Sequence, residues 1–513
     1  MATVTVPGST GGPPITFTFS AGAGLSVAQQ ISNALAAAAS VSVTSASGSP
    51  IPAPGGVGTQ ELLLTGSLAG GAAGSTVPAG YAFVVNDIGT PTTIQAASGT
   101  AILSSTGGGL FTESGAATIA AAGGNNVVSQ SGAGLVDIGI GGSGNNTITA
   151  AGTGGTIGGS TGANLFNLSG SNEMILSAGQ DTINNTGTND TVIAAGSQPL
   201  TAVITGSNVF VGLTTGGSVT TTGSNAYAQG GASGTTLTVD ATGPGAKINA
   251  ASSNVAATLS GGGAYAQGGT AGTTLNVTDT GLNDSVNAMS SAETVTASGK
   301  ANPFINGGSG GLTFIGTGTG TASIVGGSGG VTVTSGAGGV LLGSNSMTDS
   351  VFGTAGSTST IFGAGAASTN LTFTGPGNLI YGAAPAGNAT LTAGSATGNV
   401  TAFLEGNGNA SLTTGSGSDS IVAGAGSDTI NSGTGSDVFF FMSSLTGGHA
   451  DFVTNTSASI ANDTFDFHGY GAASSVTATG PGGSVVVSLT DGTTVTFTNV
   501  TSTSSLTGRI NFS

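Results

Sequence analysis

The chain has 513 residues, of which three are Lys or Arg and 20 are Asp or Glu, giving a net charge of −17 and a charged fraction of 4%, against roughly 25% in an ordinary soluble domain. Lys247, Lys300 and Arg509 are the only fixed cations, so no basic face exists for a phosphate backbone and nucleic-acid binding is excluded. The absence of cysteine excludes a disulfide framework, a thiolate metal site and a cysteine nucleophile.

Met1 to Pro7 carry no basic cluster and no long apolar run, so no cleavable secretory leader is expected there. Gly, Ser and Thr interrupt every charge-free stretch long enough to cross a bilayer, so no membrane span is expected. Alternation in Val4-Thr5-Val6 and Ile15-Thr16-Phe17-Thr18-Phe19 predicts two strands. One helix is predicted, from Val27 to Ala39, with Ser26 as N-cap and Gln29 closing a capping box. Val27, Ile31, Ala34, Leu35 and Ala38 form its apolar stripe. The helix has no Lys or Arg, so the stripe is expected to pack on a local sheet rather than lie on a membrane. Residues 1–95 read as a small N-terminal α+β or β domain.

Over residues 96–413 a short apolar beat returns about every nine or ten residues. It runs through Ile119, Val127-Val128, Ile138, Ile148, Ile157, Phe166, Ile175 and Ile183. Later it passes Phe304-Ile305, Phe314-Ile315, Ile324-Val325, Val351-Phe352, Ile361-Phe362 and Ile380-Tyr381, with Gly-rich turns between. A longer repeat overlies it, because Ala226-Tyr227-Ala228-Gln229-Gly230-Gly231 recurs from Ala264 to Gly269. Each unit is one short strand and one turn, stable only when stacked on its neighbours. The fold class expected is therefore all-β: a long parallel β-solenoid with two units, about 18 residues, per coil. The 98 glycines are expected to supply the positive φ angles of its turns.

Three nonapeptides then follow without a gap, Thr414 to Val422, Ala423 to Asn431 and Ser432 to Phe440. Their shared positions are Gly415, Gly417, Asp419 and Ile421, then Gly424, Gly426, Asp428 and Ile430, then Gly433, Gly435, Asp437 and Phe439. The pattern resembles the calcium-binding nonapeptide of the RTX family, G-G-x-G-x-D-x-U-x, with the first Gly replaced by Thr414, Ala423 and Ser432. The resemblance implies a β-roll over residues 414–444 in which these glycines and aspartates bind calcium through turn carbonyls and carboxylates. Successive turns of a roll lie on opposite sides, so turns two units apart share an ion. Asp419 then pairs with Asp437, whereas Asp428 faces Ala410 or Thr446 and has at best a weaker site. Asn146, Asp181, Asp190, Asp284 and Glu293 are degraded relatives of the motif, each expected to stand alone on its side and mostly to form turns.

Residues 445–513 regain strict alternation at Ser484 to Leu489 and Thr494 to Phe497, about an Asp491-Gly492 hairpin signal, and read as a C-terminal β cap. With Gly447-Gly448-His449-Ala450-Asp451-Phe452 and Asp463 to Tyr470 before it, this end resembles the C-terminal region of RTX proteins exported by type I secretion. The resemblance implies an uncleaved C-terminal signal and a secreted, extracellular or cell-surface location.

No enzyme is expected, because His449 and His468 are the only histidines and no His-Glu-x-x-His occurs. The leading expectation is a structural protein whose main partner is itself. It would join through solenoid ends and terminal strands into a filament or surface lattice (S-layer or biofilm matrix), with calcium-assisted folding and cell-surface polysaccharide as a further partner. The alternative is an ice- or surface-binding adhesin with a flat Thr-rich face. Thr-x-Thr occurs at Thr16–Thr18 and Thr332–Thr334, but along the sequence Thr does not recur regularly from coil to coil.

Overall fold

The computed structural model describes residues 1–8, 12–48, 50–66, 75–345, 348–363, 368–384, 387–406, 408–443, 448–456, 459–471, 475–478 and 483–513. The protein is nearly all β, 47% strand and 5% helix, and forms a parallel β-solenoid of about 21 turns. Two compact units divide the chain, Met1–Ala257 and Thr258–Ser513.

Within each unit a strand pairs in parallel with the strand one coil away, which builds two stacks. In the first unit one stack aligns Ile102, Ile119, Ile138, Ile157, Ile175, Val192, Val211, Ala228 and Ile248. The other aligns Phe111, Val128, Ile148, Phe166, Ile183, Ala202, Val219 and Val239. The second unit repeats the device with Val286, Ile305, Ile324, Leu342, Ile361, Tyr381, Ala402, Ile421, Phe439 and Phe465. All these side chains are buried. They are the core: a strand of three to six residues turns only one or two side chains inward, and neighbouring coils cover them. Two short units make one coil, as the beat implies. Coil length varies, however: Ile175 to Val192 is 17 residues and Tyr381 to Ala402 is 21.

The N-terminal strands are those expected. Ala2–Val6 and Ile15–Phe19 form an antiparallel hairpin with Val4, Val6, Phe17 and Phe19 buried. The helix spans Ala23–Ala37 rather than Val27 to Ala39, and its N-cap is Gly22 without a side-chain bond. Ser26 therefore lies in the first turn and no capping box forms. The earlier start has a tertiary cause. Ala23 and Gly24 lie directly on the solenoid: a Cβ at Gly139 or Gly158 would meet helix atoms, and a Cβ at Gly24 would meet the Gly141 backbone. Val27, Ile31 and Leu35 are buried, and Ala28 joins them, but Ala34 is exposed. Hairpin and helix share one apolar cluster with Leu63, Phe83, Val85, Leu103 and Ala120 of the solenoid. The stripe packs on sheet as expected, but the sheet is largely that of solenoid strands Ala117–Ala121 and Val136–Ile140, distant in sequence, with the local hairpin beside it. Parallel stacking begins within residues 1–95, where Val41–Ala46 pairs with Thr59–Leu64.

Glycine supplies positive φ as expected at 29 described positions, Gly99, Gly124 and Gly154 among them, but the glycines of the nonapeptides mostly serve another purpose. Among the motif glycines only Gly433 has positive φ. The others are required by coil-to-coil approach. A Cβ at Gly170, Gly187, Gly206, Gly223 or Gly243 would collide with the carbonyl oxygen of the glycine one coil earlier, and Gly398, Gly417 and Gly435 repeat this in the second unit. Coils about 4.8 Å apart leave no room for a methyl group where backbone faces backbone. Positive φ falls also on Asn172, Asn189, Asn208 and Asn225 in successive coils; Asn tolerates that region.

At the C-terminal end Val485–Ser488 and Thr494–Asn499 form the expected antiparallel pair, with Gly492 at positive φ. Thr494–Asn499 also runs parallel to Ala450–Thr456, and Ile510–Phe512 runs parallel to Thr464–His468.

Candidate functional site

Each of the three nonapeptides contributes a turn and a strand, Ser420–Val422, Thr429–Asn431 and Val438–Met442. Inward Ile421, Ile430 and Phe439 anchor them in the core. Ser420 pairs with Val438 and Ile421 with Phe439, so Asp419 and Asp437 share one side of the coil and Asp428 takes the other.

The aspartates are backbone caps between coils. The Val400 N–H donates to Asp419 Oδ1 at 2.8 Å, the Asp419 N–H to Asp437 Oδ1 at 2.8 Å, and the Asp437 N–H to Asp463 Oδ1 at 3.1 Å. On the other side Ala410 N–H donates to Asp428 Oδ1 at 2.8 Å and Asp428 N–H to Asp451 Oδ1 at 3.0 Å. Each carboxylate thus satisfies an amide of the preceding coil that the ladder leaves over.

Two members of these columns escaped the sequence reading. Asp428 does not end at Ala410. Its carboxylate column continues to Asp451, 23 residues on, because the intervening coil is longer than 18 residues; Thr446 and Gly447 lie outside the described residues. Asp463 extends the Asp419–Asp437 column by a step of 26 residues. A constant step of 18 finds neither, but the alternation of Asp451 and Asp463 with Phe452, Phe465 and Phe467 marks the strands that carry them.

Burial dominates the electrostatics. It pushes Asp419 up to about 6 against the Thr414 hydroxyl and the Val400 amide, which pull it down. Asp428 is likewise held at about 6, Asp463 at about 6 and Asp451 at about 7, and Asp437 is raised as well. His449 Nε2 stands 3.3 Å from Asp451 Oδ2, and burial lowers the His449 pKa, so the contact is not an ion pair at neutral pH. His468 Nδ1 meets Ser513 Oγ at 2.8 Å on the surface.

Asp419 Oδ2 and Asp437 Oδ2 are buried without a hydrogen-bond partner. Two spare carboxylate oxygens in one column suit a hard cation in charge and chemistry. They do not complete a shell, because calcium takes six to eight oxygens and no group of three or more Asp, Glu or His among the described residues gathers to hold a metal ion. The remaining donors would be carbonyls and water. Gly415, Gly417, Gly424, Gly426 and Gly435 keep the turns open enough to stack, each lying against a carbonyl oxygen of the coil before, while Gly433 adds the one left-handed turn.

Of the degraded relatives, Asn146, Asp181, Asp190 and Asp284 play the same capping part, whereas Glu293 caps nothing. Asn126, Asn146, Asn164 and Asp181 form a column in which each N–H reaches the next side-chain oxygen, at 2.9, 3.2 and 2.9 Å. The amide of Asn146 also donates to Asn164 Oδ1 at 2.6 Å. Two of the carboxylates are not alone on their side: Asp190 caps the Glu173 N–H at 2.8 Å, and Asp284 lies beside Asp279, with burial raising both.

No family model, no curated protein and no solved structure matches the chain.

Proposed function

We propose that this chain is a secreted structural protein that assembles with itself into a filament or surface lattice, folding with the help of calcium held by the 414–440 turns. The observation that carries the reading is the state of the terminal strands. Among the described residues, Val41–Ala46 has a ladder partner on one side only, and so does Ile510–Phe512. Ser513 N–H donates to Phe467 O, and Phe465 N–H donates to Arg509 O, so odd-numbered residues face the inner strand. The amides of Ile510 and Phe512 point outward, where a further parallel strand can add. Joining one edge to the other is head-to-tail, and head-to-tail contacts that do not close into a ring yield filaments or lattices.

The strands Val485–Ser488 and Thr494–Asn499 are paired within the chain, so among the strands after residue 480 Ile510–Phe512 is taken as the joining element. Calcium would engage Asp419 and Asp437 through their unpartnered oxygens, and its binding energy would add to folding energy.

The test is electron microscopy of the full chain with calcium and with a chelator, beside Ile510→Pro, which removes an outward amide without an inner bond. Ordered polymers from the wild type, lost in I510P at unchanged circular dichroism, support the proposal. Monomers under all conditions sink it, and identical polymers and spectra with chelator remove calcium from it.

A further inference from the structure

The outer face of one stack in the second unit carries a lattice that the sequence hides. Register aligns Thr294, Thr313, Thr332, Ser350, Thr372, Thr392, Thr413 and Asn431 in one column through eight coils. Two residues earlier on the strands, Thr348, Asn370, Thr390, Ser411 and Thr429 form a second column. The Thr that looked irregular along the chain is therefore regular in space. Coil lengths differ, but parallel pairing cancels the difference.

The lattice is about 4.8 Å from coil to coil and about 6.7 Å between columns, two residues along a strand. Thr332, Ser350, Thr372, Thr392, Ser411 and Thr429 are exposed. Among the described residues, no hydrogen bond engages the side chains of Thr313, Thr332, Ser350, Thr372, Thr392 and Thr413. Neither column contains an ionisable group. β-Branching restricts χ1 of Thr, which limits the orientations its methyl and hydroxyl can take. In the first unit the equivalent columns are broken by Leu165, Val203 and Asp240.

We infer that this face binds ice. A neutral face calls for a neutral partner, and a rigid two-dimensional repeat gains cooperatively only on a surface that repeats in both directions. Prism faces of ice present oxygen rows with comparable repeats. A neutral polysaccharide fits less well, because aromatic rings stand only at the margins of the two columns, exposed Phe352 two residues beyond Ser350 and exposed Phe452 paired with Thr429, and Asn370 and Asn431 are the only amides in the columns. The inference is independent of head-to-tail assembly, since these side chains point away from the ladders.

The test is partitioning of full-length protein between a slowly grown ice front and the remaining liquid. Wild type is expected to enrich in ice relative to an inert soluble protein. Thr392→Lys and Thr372→Lys are expected to lose that enrichment about tenfold or more, and Thr401→Lys, on the outer face of the other stack, to keep it. Thr392→Val keeps the branched shape and guards against misfolding; it is expected to retain more uptake than T392K. Exclusion of wild type from ice overturns the inference. So does equal loss in T401K, or T392K-sensitive retention on crystalline cellulose with no ice uptake.

Discussion

Gly206→Ala is a sharp probe of the solenoid, because it separates two roles of glycine. The new Cβ would overlap the carbonyl oxygen and carbon of Gly187 in the preceding coil, and both atoms are backbone. Relief requires the coils to part where Thr205 N–H bonds Asn185 O at 2.8 Å and Phe210 N–H bonds Asp190 O at 2.9 Å. Two weakened hydrogen bonds cost about 1 kcal/mol each, and overpacking adds about 1–3 kcal/mol. A loss of about 3–5 kcal/mol is expected. Gly234→Ala is the contrast, since Gly234 has φ +82° but nothing near its absent Cβ; the left-handed backbone alone costs about 1–2 kcal/mol. Guanidinium unfolding followed by circular dichroism compares the two, and hydrogen exchange at Asn189 and Phe210 localises the damage. If G206A loses less than about 1 kcal/mol, or less than G234A, close coil approach is not what these glycines are for.

Stability should also depend on pH with an unusual sign. Glu293 is buried with no partner for either oxygen, and burial raises its pKa from 4.5 to about 8; Glu113 and Glu173 are also raised to about 8. Their folded pKa values exceed the unfolded ones, so the stability they lend is fully present below about pH 4.5 and is lost as pH rises through about 8. The melting temperature should fall from about pH 5 to about pH 9, and Glu293→Gln should recover about 2–4 kcal/mol at the alkaline end; a flat profile, or one that E293Q leaves unchanged, contradicts this. Asn146→Asp restores the nonapeptide's Asp but removes an amide that donates to Gly144 O, Ser160 Oγ and Asn164 Oδ1. A loss of about 1–3 kcal/mol at neutral pH is expected, and a thermal melt equal to wild type would show that the Asn column is replaceable.

Much was legible because a stack of short units writes its period into the chain. Ile119, Ile138, Ile157 and Ile175 announce the inward column, and the Asp491-Gly492 turn announces its hairpin. The aspartate pairing was legible only where coil length stayed at 18, between Asp419 and Asp437. It failed at Asp428, whose neighbour Asp451 is 23 residues away. The helix start was missed because its cause lies in Gly139 and Gly158, more than a hundred residues from Ala23.

The sequence by itself determined that apolar residues recur on a short beat, which forces strands to stack, and that no basic face and no thiol is available. Tertiary structure decided which side chains meet. A parallel ladder aligns residues by register and not by count, so coils of 17 to 26 residues bring Thr onto Thr, carboxylate onto backbone amide, and glycine onto carbonyl at spacings no fixed sequence interval describes.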